Sequence, residues 1–311
     1  MSMKMSMNTF LTLAMGVVLL SCDNRRSQSD GAVDFTTGSD FVVSDSSPTP
    51  DHPPTSRTIN GTISDPIVNS VAAIPEKVGK ETIAAVTGGA FVLSKLRTDE
   101  RYLLEFRNGA TSQGYLTFSA GAIKAWVIPR GTQDIDLGKC GSDEHLSFNS
   151  ANSPLDSTDD DSDGIVDSKD NYAPTPATLP STGTYEGIQL WNLLKYGIAF
   201  VPDSVDKSKW TIFLSGSAVA PDCMMPISGV MEQFGDGFIG LFQVQYLVAA
   251  DCKVHDHSQF RMIKQTDGSY LGTTIHFLVG LDSTCVPVGC MGTPPHGGDY
   301  KMTRMGDSAC K

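Results

Sequence analysis

Arg101-Tyr-Leu-Leu-Glu-Phe-Arg107 (RYLLEFR) places Tyr102, Leu104 and Phe106 at alternating positions between charged ends. Successive side chains of an extended strand point to opposite faces. The spacing therefore predicts a β-strand with those three residues in a core. Runs of the same texture lie to either side: TINGTI, IVNSVAAI, ETIAAV and GAFVL before it, GYLTF and AIKAWVI after it, broken by Gly, Pro, Asn or Asp. Short β-branched and aromatic runs between turn formers read as strands, here a sandwich of about seven over residues 57–135.

The second half repeats the pattern in WTIFLSG, ISGVMEQF, FIGLFQVQYLVA, FRMIKQ, SYLGTTIHFLVG and DYKMTRM. Roughly six to eight antiparallel strands over residues 178–311 fit a small barrel or sandwich. One stretch, Gly187-Ile-Gln-Leu-Trp-Asn-Leu-Leu-Lys195, is too densely apolar for clean alternation and predicts one or two helical turns. The chain is thus expected to be mainly β, with residues 136–177 as a linker.

Within the first half, Ile59-Asn60-Gly61, Gly89-Ala90-Phe91-Val92-Leu93 and Tyr102-Leu103-Leu104-Glu105-Phe106 follow one another in an order that resembles the carboxypeptidase-regulatory-like modules of secreted bacterial proteins. The usual acidic or Asn residue before the turn glycine is replaced by Thr87-Gly88-Gly89. The resemblance implies a noncatalytic Ig-like, transthyretin-like sandwich that serves as a spacer or interaction domain. Its glycines are expected to serve turn geometry, since Gly takes positive φ without steric cost. In the second half, Gly183-Thr-Tyr-Glu-Gly187 and Asp299-Tyr-Lys-Met-Thr-Arg304 resemble the ends of lipocalin-like barrels, without the Gly-x-Trp signature. That resemblance implies a carrier of an apolar ligand.

At the N-terminus, Lys4 precedes the apolar run Phe10–Leu20, which is too short to span a bilayer and reads as a signal peptide over residues 1–21. Its end, Leu19-Leu20-Ser21-Cys22, resembles the lipobox of bacterial lipoproteins. The resemblance implies acyl chains on Cys22 and a cell-envelope location, with inner or outer membrane left open. Two or three chains hold firmly where one does not. Residues 22–56 are rich in Ser, Asp, Thr and Pro and read as a disordered tether with a reach of roughly 30 Å. His52, within it, has no assigned role.

The net charge of −12 disfavours nucleic-acid binding, which needs a basic stripe. It equally disfavours peripheral docking on anionic lipid, so membrane association falls to the acyl chains. Six further cysteines, Cys140, Cys223, Cys252, Cys285, Cys290 and Cys310, are expected to form disulfides in an oxidising compartment. Cys223 and Cys252, at the ends of strand-like runs, make a plausible pair; the other pairings are open.

Between the halves lies Asp156-Ser-Thr-Asp-Asp-Asp-Ser-Asp-Gly-Ile-Val-Asp-Ser-Lys-Asp-Asn171. Counted from Asp159, carboxylates fall at positions 1, 3, 5, 9 and 12 of a calcium loop: Asp159, Asp161, Asp163, Asp167 and Asp170. Gly164 supplies the bend and Ile165 a carbonyl. Calcium takes six to eight oxygens, so alternate residues must turn inward and a glycine must bring the second half back. The flanks are wrong for the helices of an EF-hand, with Pro154 before and Pro174 and Pro176 after. From Asp159 to Pro174 the string instead resembles a thrombospondin type 3 calcium repeat, which implies a metal-stiffened connector with an affinity of about 10 µM to 1 mM.

Other chemistry is sparse. His255 and His257 would share a strand face, and His276 is a third candidate metal ligand. Glu186, Glu232 and Asp236 are conceivable acid–base groups, but no spacing joins them. No Gly-x-Ser-x-Gly elbow or phosphate-cradling loop is present. The expectation is a noncatalytic, calcium-stiffened envelope lipoprotein that binds a protein or a small apolar ligand; the alternatives are a lipocalin-like carrier and an envelope hydrolase.

Overall fold

The computed structural model describes residues 55–306, apart from 78, 121–122, 143–146, 178–182, 191–194, 203–204, 206–208, 216–224, 250–251 and 281–295; in parts of the second half it describes the backbone alone. The signal segment, Cys22 and His52 lie outside the described residues, as do Cys223, Cys285, Cys290, Cys310 and the side chain of Cys252.

The first body contains β1 (Ser56–Ile63), β2 (Ser70–Pro75), β3 (Thr82–Ala85), β4 (Ala90–Arg97), β5 (Tyr102–Asn108), β6 (Thr111–Ala120), β7 (Ile123–Ala125), β8 (Val127–Ile128), β9 (Ile135–Ser142) and β10 (Phe148–Ser150). Hydrogen-bonded neighbours run β3-β2-β5-β6-β10-β9-β1-β4, with β7 on β6 and β8 on β5. Strand β6 is shared. Its Tyr115 pairs with Glu105 of β5, and its Leu116 and Thr117 pair with Phe148 and Asn149 of β10. The sheet bends there into a nearly closed, barrel-like body whose ends, β3 and β4, meet at the seam.

This mixed sheet, with β1–β9 and β6–β10 parallel, replaces the expected pair of facing sheets. It also takes in β9 and β10, beyond the boundary at residue 135 read from sequence. The physical reason is a bulge: Gly138 has φ +63, the β1–β9 register shifts beside it, and the apolar alternation that would mark the strand is broken.

As expected, Tyr102, Leu104 and Phe106 are buried together. Phe106 stacks on Phe148 with ring centroids 4.1 Å apart and meets Phe91 edge-on at 6.3 Å. Gly88 and Gly89 do serve a turn. With φ of +59 and +78 they form a two-residue loop closed by reciprocal Thr87–Ala90 backbone bonds. Gly61 serves packing instead, because inside β1 a Cβ at this position would lie 3.0 Å from the Phe91 ring.

The second body is a closed antiparallel barrel in sequence order: β11 (Gly183–Gln189), β12 (Lys195–Pro202), β13 (Lys209–Ser215), β14 (Met225–Phe234), β15 (Gly237–Ala249), β16 (Cys252–Lys264), β17 (Tyr270–Gly280) and β18 (His296–Gly306), the last pairing with β11. The ends of the stretch expected to be helical are strand: β11 runs to Gln189 and β12 begins at Lys195, while 191–194 lie outside the described residues. Tyr185, Gly187 and Gln189 alternate into the interior, and the missing side chain of Gly187 makes room for the Tyr300 hydroxyl. The described part of the interior is filled. Phe238 meets Phe260 and Tyr270 at 5.4 Å and Phe200 at 6.4 Å, and Gly240 leaves space for the Phe260 ring.

Cys140, expected in a disulfide, is instead a free thiol buried in the first core. Burial, with Asp136 nearby, pushes its pKa up to about 12, so the reactive thiolate is suppressed. Five cysteines remain beside Cys22, an odd number that full pairing within one chain does not accommodate.

Candidate functional site

Two features join the bodies: an interface formed by barrel strands against the first sheet, and the acidic segment that connects them. The interface follows from strands apolar on both faces. Leu103, on the opposite side of β5 from Leu104, is fully buried with Ala72 and Ile74 of β2, Tyr115, Trp126 and Val127. From the barrel come Phe234, Ile239, Leu241 and Ile275. In β15 the alternation is explicit, with Phe238 facing the barrel interior and Ile239 and Leu241 facing the first body. Gln259 of β16 adds a polar contact, its Oε1 accepting the Tyr115 backbone N–H at 3.1 Å while its Nε2 reaches Ser147 Oγ at 3.3 Å.

Glu232 of β14 is a buried charged group of this interface, 1% exposed. Trp126 occupies a bend between β7, which pairs with β6, and β8, which pairs with β5. Where the chain changes partner, backbone donors need another acceptor. Glu232 Oε2 accepts Trp126 N–H at 2.8 Å and Val127 N–H at 3.3 Å, while its Oε1 accepts Arg101 Nη2 at 2.8 Å. Arg101 Nη1 donates to Glu76 Oε1 at 3.0 Å. Burial raises the Glu232 pKa to about 7 against the opposing pull of Arg101 and the two backbone donors. Of the other two acidic residues considered for acid–base chemistry, Glu186 lies on β11, paired with β12 and β18, and Asp236 in the β14–β15 turn. The fold does not gather them around Glu232, whose bonds serve docking.

The acidic segment is pinned at both ends. Leu155 enters the first core, Asp159 N–H donates to Arg130 O at 3.3 Å, and Asp160 Oδ1 accepts Arg130 N–H at 3.2 Å. Downstream, Thr175 O accepts Gln233 N–H at 3.0 Å, Pro176 bridges to Glu232, and Ala177 enters the barrel core. At the tip, one carboxylate oxygen each of Asp159, Asp161 and Asp163 gathers within 4.8 Å. Left-handed φ at Ser162 (+62) and Gly164 (+91) turns the chain back. Asp159 accepts the N–H of Asp163 at 3.2 Å and of Gly164 at 3.0 Å, which holds the carboxylates toward one another.

The remaining expected calcium ligands are not in that group. Asp167 is buried at the neck, accepting Thr158 Oγ1 and, at 3.0 Å, the Asp160 N–H; burial raises its pKa. Asp170 accepts the Tyr172 N–H at 2.7 Å. The Ile165 side chain is exposed, and its N–H bonds Asp163. Oxygen donors of this kind suit a hard cation; the Asp159, Asp161 and Asp163 group could hold a metal ion, while Asp167 closes the loop's neck.

The candidate histidines lie on β16 and β17, where the backbone register is described. His276 is in register with Ser258, whereas His257 faces Phe277 and His255 faces Val279. Residues opposite one another share a sheet face, so His276 occupies the alternate set of positions from His255 and His257.

The sequence pointed to the acidic tip but not to the role of Glu232. Its signal was a lone acid two residues before Phe234 in a strand whose partner, Phe238-Ile-Gly-Leu-Phe242, is apolar at both alternating sets of positions. No protein-family model, curated protein or solved structure matches the chain.

Proposed function

We propose that this chain is a noncatalytic bacterial envelope lipoprotein, held to the membrane by acyl chains on Cys22, in which two docked β bodies form a calcium-binding scaffold. The observation that carries the reading is the gathering of Asp159, Asp161 and Asp163 at the tip of a loop whose neck is fixed to the first body and whose end joins the barrel. The first body is read as a spacer or interaction module similar to the carboxypeptidase-regulatory-like ones, supported by the fall of its three motifs on β1, β4 and β5, although its sheet is mixed and nearly closed rather than an Ig-like sandwich. The docked pair presents a surface for a protein or small apolar ligand, and the acidic chain leaves nucleic acid aside.

Calcium's place in this reading is narrower than that of a hinge stiffener. The domains already meet across a buried interface, so the cation orders the loop tip and relieves repulsion among its carboxylates. With Kd between about 10 µM and 1 mM, several millimolar calcium stabilises by roughly 1–4 kcal/mol, which for a protein of this size is a rise in Tm of roughly 2–15 °C. Thermal unfolding of the purified protein in several millimolar calcium should show that rise, and Asp161→Ala combined with Asp163→Ala should remove it. An unresponsive wild type would refute the metal site. For the anchor, Cys22→Ser should abolish incorporation of labelled fatty acid in cells; undiminished labelling would contradict it.

A further inference from the structure

We propose that the Glu232 carboxylate makes docking of the two β bodies pH-responsive, tightest in mildly acidic solution and progressively looser as the pH rises toward neutrality. The geometry is a charge imbalance in a buried place. Glu232 and Glu76 share one guanidinium, at 2.8 and 3.0 Å from its two terminal nitrogens. With both carboxylates ionised the triad carries one uncompensated negative charge, inside an interface lined by Leu103, Trp126, Val127 and Phe234. An ion is costly there without full pairing.

Every neighbouring element bears on this charge. The strand start at Arg101 supplies the cation, and the chain after β2 supplies Glu76. The β7–β8 bend supplies the two N–H donors. The linker brings Tyr172, whose buried hydroxyl has no hydrogen-bond partner and whose pKa is raised by burial and by the negative charge of Glu232. Asp160 and Asp167 act on Tyr172 from the acidic segment in the same sense. Arg101 is the cation bonded to both carboxylates; Arg261 of β16 lies on the same face of the barrel, over the Phe234 ring at 5.5 Å.

The sign follows from linkage. Undocked, Glu232 is exposed and titrates near 4.5; docked, it keeps its proton up to about 7. Between those values docking takes up a proton, so the undocking equilibrium rises with pH, at most about tenfold per unit, and is flat outside the window. The stability contribution is present in acid and lost as pH climbs through that range.

Hydrogen exchange of the full mature chain tests this at the Trp126 and Val127 amides, which Glu232 covers. After division by the intrinsic rate at each pH, wild-type protection should fall between pH 5 and 7 and level off above. Glu232→Gln keeps an acceptor but cannot ionise, so its protection should be independent of pH. Glu76→Gln removes the competing carboxylate and should move the response to lower pH. Wild-type protection constant from pH 5 to 8, a wild-type slope in Glu232→Gln, or an unmoved response in Glu76→Gln would each overturn the proposal. Should Glu232→Gln fail to fold, the wild-type and Glu76→Gln profiles decide.

Discussion

Glu232→Ala should destabilise the native protein by about 3–5 kcal/mol, because several buried donors lose the acceptor that Glu232 offers them. Three groups lose their acceptor at once. Arg101 Nη2 is left buried beside a single remaining carboxylate, and the N–H groups of Trp126 and Val127 are stranded at a bend where no ladder partner replaces Glu232. A buried donor without a partner costs about 1–3 kcal/mol. The alanine also leaves a void between the bodies that Trp126 and Phe234 cannot readily fill. Urea unfolding measures the loss, and a change below about 1 kcal/mol would contradict this role for Glu232. Glu232→Gln retains one acceptor oxygen and should cost less.

Phe238→Ala should be comparably severe, about 3–5 kcal/mol. The ring is 1% exposed and meets three other rings, those of Phe200, Phe260 and Tyr270, so its removal opens a cavity in the described part of the barrel. The neighbours have little freedom to collapse into it. Gly240 shows how closely the Phe260 ring already abuts the wall, since a Cβ there would overlap that ring. Chemical denaturation of the variant reads the effect directly. A near-neutral outcome would mean that this part of the barrel is loosely filled, as a carrier would require.

Much of the fold was legible because strand texture is local. The YLLEF and GAFVL runs coincide with β5 and β4, and FIGLF opens β15. What escaped had nonlocal causes. The β9 strand was hidden by the Gly138 bulge, and β11 read as helical because Gly187 owes its place to Tyr300, 113 positions away in the sequence. Leu103 alternates with Leu104 as if exposed, yet both are buried, because a second body covers the outer face of β5.

The acidic loop was legible for a related reason: its 1-3-5 spacing and its glycine act within a few residues, and they produce the gathered tip. Positions 9 and 12 depend on where the loop is anchored. Asp167 is claimed by Thr158 and Asp160, partners that composition does not reveal. Cys140 lay in the same blind spot, since an even cysteine count suggests pairing while packing in the core decides otherwise.

The central claim is that the two β bodies are one docked unit whose interface behaves as a core and is held by Glu232. Differential scanning calorimetry of wild type and Glu232→Ala at the same pH tests it most directly. One docked unit predicts a single wild-type transition with equal calorimetric and van't Hoff enthalpies, and two separated transitions once Glu232 is removed. Two independent transitions already present in the wild-type protein would contradict it.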